Sequence, residues 1–395
     1  MNVVVGISWP FANGELHIGH AASSLPGDVI GSKAKKTFYI KFKYVDTLNT
    51  VNNNILNSYL NFKFVPAANL IAANFGSYNN SMWKYRGSVT KIIIQDTITE
   101  MDNAITEDVS LEQDGTVMSH LILNDDGSTY TAYLQSDSVI NLPANSSSLF
   151  YNFMKLENIE NINLLKTSNV TNMNSMFMND VELQSLDVSS FDTRNVTNMS
   201  SMFFNGWKLT SLNVKGFNTA KVTDMGNMFY ELRLVEELDL SSFDTRNVQS
   251  MVFMFYNCAN LKKLDLSNFN TAKVTKMSYM FGAVSSVTSL DLSSFDTHNV
   301  TNMSFMFSAM KSLTELDVSS FDTSKVTDMG NIFNGCTSIK VLDLSSFDMS
   351  GVTNTDNMLA ATYNLKTGYA RSESDASIIN NSVGKPGTQA LFVVK

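Results

Sequence analysis

Apolar residues recur every 26 positions through the second half of the chain. The interval holds for phenylalanine, valine, methionine and leucine alike, and seven copies follow one another without an insertion. The phenylalanines are Phe177, Phe203, Phe229, Phe255, Phe281, Phe307 and Phe333. A period of roughly 20 to 50 residues is typical of arrays whose units are too small to bury an apolar face alone. The pattern therefore predicts a stacked repeat array.

The order of apolar and polar residues within one copy predicts its elements. Residues 186–189 alternate between the two classes, which is typical of a short strand with one buried face. A second apolar group lies at i, i+3 and i+4, as on one face of a short helix: Met199, Met202 and Phe203. Thr197 or Asn195 is the expected N-cap of that helix. Each copy is thus predicted to run strand, turn, short helix and return, and the predicted fold class is an α/β repeat solenoid.

The segments that flank the array have a different pattern. Residues 91–94, 121–123 and 129–134 are typical of strands, so the sequence predicts a small β-rich N-terminal cap. At the other end Gly368 replaces the core leucine of the repeat, and residues 391–395 are expected to close a C-terminal cap. The predicted divisions are an N-terminal fragment at 1–36, the β-rich cap at 37–148, the array at 149–365 and the C-terminal cap at 366–395.

Two sets of charged residues are the candidate binding surfaces of the array. By strand alternation, an aspartate in six of the seven copies points away from the core, and we name these residues the acidic row: Asp187, Asp239, Asp265, Asp291, Asp317 and Asp343. A calcium site is one interpretation, but the flanking residues are serines and calcium needs about 6 to 8 oxygens. Two other interpretations are that the carboxylates are solvated, or that they form hydrogen bonds to Ser and Thr of adjacent coils.

Alternate copies carry different residues after the turn, which gives a second period of 52 residues. The exposed cations produced by this alternation are named the basic edge: Arg194, Lys221, Arg246 and Lys273. His298 occupies the same position as Arg194 and Arg246, so we expect an exposed edge residue there. The alternation indicates that the array grew by duplication of a pair of copies.

Charge and cysteine content narrow the possible functions. The net charge of −9 excludes a protein-wide basic surface for nucleic acid. No apolar run approaches the ~18 residues of a membrane span, and the first residues lack the basic region of a secretory signal. Cys258 and Cys336 occupy equivalent positions three coils apart, too far for a disulfide, and are predicted to be buried core residues. The sequence predicts no catalytic set, no metal site and no cofactor.

The array resembles a known bacterial family. Stretches such as Val196-Thr-Asn-Met-Ser-Ser-Met-Phe203 and Leu238-Asp-Leu-Ser-Ser-Phe-Asp-Thr245 are similar to BspA-like leucine-rich repeats, over roughly residues 80–395. The resemblance implies a leucine-rich-repeat-like stack and a non-enzymatic protein at the cell surface or secreted. Its implied partners are other proteins or host-surface molecules.

The first 36 residues resemble a different family. His17-Ile-Gly-His20, preceded by Val5-Gly-Ile-Ser-Trp-Pro, is similar to the HIGH motif at the start of class I methionyl-tRNA synthetases. The resemblance implies ATP binding by His17, Gly19 and His20, with phosphates at a helix start. An aminoacyl-tRNA ligase fragment, inactive because the remaining domains have no counterpart here, is therefore the alternative function. A structural surface-layer component is the third.

Overall fold

The computed structural model describes residues 67–70, 81–384, 387 and 390–395. The predicted N-terminal fragment, with His17, Gly19 and His20, lies outside the described residues. The described strands are β1 (Ala68–Asn69), β2 (Val89–Gln95), β3 (Ile105–Asp108), β4 (Met118–Leu123), β5 (Tyr130–Gln135), β6 (Ile140–Asn141), β7 (Asn158–Glu160), β8 (Leu165–Lys166), β9 (Ser185–Asp187), β10 (Ser211–Asn213), β11 (Ser289–Leu290), β12 (Glu315–Leu316), β13 (Val341–Leu344), β14 (Thr367–Ala370) and β15 (Phe392–Val394).

A five-stranded sheet precedes the array, in the order β3-β4-β5-β2-β7. β3, β4 and β5 pair antiparallel, whereas β2 runs parallel to β5 and β7. The strands predicted at 91–94, 121–123 and 129–134 are confirmed, as β2, β4 and β5. The turn between β4 and β5 uses Gly127 at a φ of 66°, while the Asp126 carboxylate accepts from the backbone N–H groups of Ser128 and Thr129.

The repeats are joined in the strand region by short parallel pairs. β9 pairs with β10 and β11 with β12, each in register with the equivalent residue of the next copy. A second line of parallel bridges runs through the array at the position of Asn198: Asn145, Asn172, Asn198, Asp224, Ser250, Lys276, Asn302, Asp328 and Asn354. This second ladder therefore joins each copy to the next, whereas the strand ladder joins only some neighbouring copies.

The predicted α/β solenoid with a short helix in every copy is wrong. Strands in several small separate sheets dominate the described residues, whose one α-helix, α1 (Glu373–Asn380), lies after the array. The segment predicted as a helix is a run of turns. Two residues in it, four positions apart, take the left-handed conformation in every copy. In the copy that begins at Asn198 these are Ser201 at φ 57° and Asn205 at φ 61°. A left-handed residue interrupts a right-handed helix.

Hydrogen bonding explains how this turn segment replaces the helix. The N–H groups of Ser201, Phe203 and Asn205 donate to carbonyls of the next copy, at N–O distances of 2.8–3.1 Å. Those of Met202 and Phe204 donate to carbonyls three residues earlier. N–H groups that would bond to carbonyls within a helix thus bond to carbonyls of the next copy. The expected N-caps take part in the same joining, because the Asn195 amide and the Thr197 hydroxyl donate to carbonyls of the preceding copy.

The core of the array is a column of stacked phenylalanine rings. Successive rings lie 5.2–5.9 Å apart and within 13° of parallel. This phenylalanine column consists of Phe150, Phe177, Phe203, Phe229, Phe255, Phe281, Phe307 and Phe333. Met199, Met202 and Phe203 are all buried, so the apolar face inferred from their spacing is confirmed although its backbone is not helical.

A buried threonine column runs parallel to the rings. Each hydroxyl donates to a backbone carbonyl 25 residues later and accepts from the N–H of that same residue. Thr245, for example, donates to the carbonyl of Asn270 at 2.9 Å and accepts from its N–H at 2.8 Å. The members are Thr167, Thr193, Thr219, Thr245, Thr271, Thr297 and Thr323. The column explains why six successive copies have threonine two residues after the turn phenylalanine, from Phe191 to Phe321.

The array ends on a small parallel sheet in which β14 lies between β13 and β15. Gly368 takes the place of the repeat leucine, and the Phe392 ring fills the space, since a Cβ on Gly368 would lie 2.6 Å from it. Ser372 caps the start of α1, and its hydroxyl accepts from the N–H of Asp375. None of the helices in the described ranges has the length and apolarity to cross a membrane.

Candidate binding surfaces

The acidic row lies on the outer side of the strand ladder, on successive copies. In each copy the carboxylate accepts from the backbone N–H two residues later, as Asp265 does from Ser267 at 3.1 Å. Asp239 and Asp265 also accept from the serine hydroxyl. These bonds close a local turn within one copy and do not cross to the next. These bonds hold each aspartate side chain in one orientation.

Hydrogen bonding keeps this row ionised. Bonds from the serine two residues later lower the pKa of Asp239, Asp265 and Asp291 below its ordinary value. Neighbouring carboxylates oppose this effect: Asp265 raises the pKa of Asp291, and Asp291 raises that of Asp317. The carboxylates of successive copies are therefore close enough to repel one another. At the end of the row, Asp343 pairs with Lys395 at 2.7 Å.

The arginines of the basic edge are paired within their own copies. Arg194 contacts Asp192 at 2.8 Å and Arg246 contacts Asp244 at 2.8 Å. His298 occupies the same position and lies 2.6 Å from Asp296, so it is exposed and paired in the same way. The edge therefore carries charge pairs, and its arginines are partly neutralised by carboxylates two residues earlier.

The lysines of the basic edge connect neighbouring copies. Lys221 donates to the side-chain oxygen of Asn195 at 2.8 Å, and Lys273 donates to that of Asn247 at 2.6 Å. The amide nitrogen of Asn247 donates to the carbonyl of Ala220 in the copy before. A copy with asparagine at this position is thus followed by a copy whose lysine donates to that asparagine. This contact gives a structural reason for the 52-residue alternation.

An exposed aromatic surface was not predicted from the sequence. Six half-buried rings lie on the turn segments of five successive copies, and we name them the aromatic patch: Phe204, Tyr230, Phe253, Tyr256, Tyr279 and Phe305. One stack runs through the first three copies, at centroid distances of 4.3 and 5.0 Å. The other runs through the last three, at 4.2 Å for each step. Edge contacts of 5.5–5.9 Å join the two stacks, one within the central copy and one to each of its neighbouring copies.

Three rings of the patch stand on strained backbone. Phe253, Tyr279 and Phe305 have φ values of 58–60°, the left-handed region. The same position carries Ser201 or Asn227 in other copies, and a short polar side chain tolerates this conformation better than an aromatic one. Aromatic residues at left-handed positions cost about 1–3 kcal/mol each. The signal that could have revealed the patch was the departure of these copies from the repeat consensus.

The described residues hold no group of three or more His, Cys, Asp or Glu side chains arranged to bind a metal ion. The acidic row therefore presents its carboxylates singly. The two cysteines lie in the core as predicted, and burial raises the pKa of each thiol to about 12. Each thiol donates to a carbonyl 29 residues earlier, at 3.0 Å.

A buried carboxyl occupies the core position that carries Cys258 in another copy. The Oδ1 atom of Asp180 accepts from the N–H of Phe153 at 2.9 Å, whereas Oδ2 contacts no donor in the described part of the chain. Gly206 and Phe203 lie beside it in the next copy. Burial raises the pKa of Asp180 well above its ordinary value.

Asp180 is expected to make the array less stable as the pH rises. Because its pKa is raised in the folded state, the unfolded chain ionises first, and the penalty begins above the ordinary value of 3.8. The Asp180→Asn variant keeps the oxygen that Phe153 needs and cannot ionise. Its free energy of unfolding relative to the natural protein should therefore increase between pH 3 and pH 7. Urea unfolding at several pH values tests this, and a difference that stays constant or falls would contradict the assignment.

Comparison with known proteins places the repeats in context. A family model described as "Mycoplasma protein of unknown function, DUF285" matches four overlapping stretches, residues 144–260, 204–290, 234–317 and 283–377. Together these stretches cover more than half of the chain, including the whole of the acidic row, the basic edge and the aromatic patch.

A short stretch has separate relatives. Over 44 residues the chain is 46% identical to "Methionine--tRNA ligase" of Streptococcus pneumoniae (strain CGSP14) and to "Methionine--tRNA ligase 1" of Alkaliphilus oremlandii (strain OhILAs). "Methionine--tRNA ligase 2" of Bacillus cereus (strain ATCC 14579) is equally similar. This stretch is 10% of the chain and spans 8% of each of these relatives. No solved structure matches.

Proposed function

The chain belongs to the DUF285 family of repeat proteins, and from this premise we propose that it is a non-enzymatic bacterial surface protein that binds other proteins or host-surface molecules. The resemblance to BspA-like repeats supports the surface location and the class of partner. Exposed side chains in a stacked array repeat at a fixed spacing, which suits recognition of an extended partner surface.

The proposal rests on the charge and the orientation of the acidic row. Its members on four successive copies are ionised and oriented by local hydrogen bonds: Asp239, Asp265, Asp291 and Asp317. Successive copies stack at about 4.8 Å, so the carboxylates form a continuous line of negative charge. A partner with a basic surface would be attracted to this line, with binding that weakens as salt screens the charges.

Removal of three central carboxylates should weaken binding to a basic polypeptide. The variant Asp265→Asn/Asp291→Asn/Asp317→Asn keeps the oxygen that accepts from the serine N–H, so the local turns are retained. We expect its affinity for immobilised poly-L-lysine to fall at least about tenfold, equivalent to about 1.4 kcal/mol. Surface plasmon resonance at two salt concentrations measures this.

The control removes the same number of charges elsewhere. Asp96, Asp102 and Asp125 are exposed residues of the segment that precedes the array, and their triple exchange to Asn changes the net charge equally. This control should bind like the natural protein. Equal losses in both variants would mean that net charge alone determines binding, and would contradict a role for the row.

The synthetase-like stretch supports a second candidate, an aminoacyl-tRNA ligase fragment. Because the similarity spans 8% of the relatives, the groups needed to hold ATP and methionine together would have to come from unrelated sequence. We therefore expect no methionine-dependent exchange between ATP and pyrophosphate by the purified protein. Exchange that is lost in the His20→Ala variant would favour the ligase. A purely structural surface-layer role stays a third proposal, favoured if no partner binds.

A further inference from the structure

The aromatic patch has a regular arrangement of large and small side chains. It involves two positions of the turn segment, three residues apart. The first position reads, through five successive copies, Ser201, Asn227, Phe253, Tyr279, Phe305. The second position reads, through the same copies, Phe204, Tyr230, Tyr256, Gly282, Ser308. Small residues precede large ones at the first position, and this order is reversed at the second.

This arrangement makes the patch complementary to itself. A two-fold axis that crosses the array at the central copy, the one with Phe253 and Tyr256, reverses the order of the copies. Four of the six rings then face a small residue of a second copy of the chain, whereas Phe253 and Tyr256 lie at the axis and face their own equivalents. Phe204 meets Ser308, Tyr279 meets Asn227 and Phe305 meets Ser201. Tyr230 lies opposite Gly282, which is buried beside the Tyr256 ring of its own chain. Self-complementarity of this kind is what a two-fold symmetric interface requires, because the same surface serves both subunits.

We infer that the aromatic patch is the interface of a symmetric homodimer in which two arrays lie antiparallel, face to face. Aromatic residues are enriched at the centres of protein interfaces, where they bury much area at a low cost in conformational entropy. Three of the rings stand on left-handed backbone, which is a cost to the folded monomer. Burial of the rings against a second copy gives a reason for that cost.

The charges beside the patch determine the direction of the second array. One residue per copy in the second ladder precedes the two patch positions: Asn198, Asp224, Ser250, Lys276 and Asn302. In the antiparallel arrangement Asp224 faces Lys276 of the second copy, and this pair occurs twice. In a parallel arrangement, which the ring pattern would also permit, each of these charges would lie level with its own equivalent. Opposite charges favour the antiparallel dimer.

A larger residue in place of Ser308 tests whether Phe204 needs a small residue opposite it. Ser308→Tyr adds an aromatic ring at a position where Tyr230 and Tyr256 already occur, so the fold accommodates it. A non-specific apolar surface would become more adhesive with a seventh ring. The proposed dimer instead loses the space for Phe204, and we expect its dissociation constant to rise at least about tenfold. Sedimentation velocity of the full chain over a concentration series measures the change.

Charge reversal tests the direction of the arrays. Asp224→Lys and Lys276→Asp each place like charges opposite one another, and each should raise the dissociation constant about tenfold. The double variant restores opposite charges in the antiparallel dimer and should recover the natural affinity. Each new residue already occurs at the equivalent position of another copy, so the monomer is expected to remain folded; thermal unfolding of every variant checks this.

The control variant is Tyr363→Ser, because Tyr363 is exposed and lies outside the patch. Tyr363→Ser should dimerise like the natural protein. For the natural protein, the sedimenting mass should rise with concentration from the 43.8 kDa of the monomer toward twice that mass. A natural protein that stays monomeric up to about 100 µM would overturn the inference. So would a Ser308→Tyr variant that associates as well as the natural chain. Failure of the double charge variant to recover would overturn the antiparallel direction.

Discussion

Phe255→Ala is expected to lower the free energy of unfolding by about 3–5 kcal/mol, the range typical of a buried phenylalanine. The Phe255 ring is fully buried and stacks on Phe229 at 5.6 Å and on Phe281 at 5.9 Å. Its removal loses apolar burial and leaves a cavity between two rings that the backbone ladders hold apart. The array cannot close this gap without breaking hydrogen bonds on both sides.

The damage should be local, because each copy contacts only its neighbours. Cys258 lies three residues from Phe255 and Cys336 lies three copies further along, and both thiols are buried. In Phe255→Ala, thiol labelling should accelerate more at Cys258 than at Cys336. Chemical denaturation gives the free energy, and Tyr363→Ala, at an exposed ring, should change it by less than about 0.5 kcal/mol. Equal acceleration at both thiols would mean that the array unfolds as one unit.

Thr245→Val should have the second largest effect, a loss of about 2–4 kcal/mol. Valine has nearly the shape of threonine, but it cannot replace the hydroxyl that donates to the Asn270 carbonyl and accepts from the Asn270 N–H. Two buried backbone groups would lose their partner, and each unsatisfied group costs about 1–3 kcal/mol.

An exposed threonine provides the matched control. Thr223 also donates to a carbonyl of the preceding copy, but from an exposed position where water can replace the bond. Thr223→Val should therefore cost less than about 1 kcal/mol by the same denaturation experiment. If the two variants proved equally stable, the threonine column would contribute little to the stacking.

The sequence allowed the buried face of each repeat to be predicted, but not its backbone. Met199, Met202 and Phe203 are spaced as on a helix, and all three are buried. A run of turns can bury residues that have the same spacing. Ser201 and Asn205, at left-handed positions, prevent a helix, and their N–H groups bond to the next copy. Such bonds between distant residues leave no trace in the periodicity of a single copy.

The candidate surfaces were predictable only where every copy agrees. Asp265 and its equivalents recur at one position, so strand alternation predicted the direction of the acidic row. The aromatic patch consists of departures from the repeat, such as Tyr279 where another copy has Ser201. A pattern based on shared positions does not include such residues. The partners of Arg194 and Lys221 also required the structure, because one pairs within a copy and the other between copies.

Far-UV circular dichroism tests the central claim, that copies are joined by backbone ladders in place of helices. The described residues contain one α-helix of 8 residues. We expect a spectrum dominated by strands and turns, without strong paired minima near 208 and 222 nm. Paired minima with the intensity of a helix in each of the seven repeats would contradict it. The ladders, the phenylalanine column as described and both proposed surfaces would then be wrong.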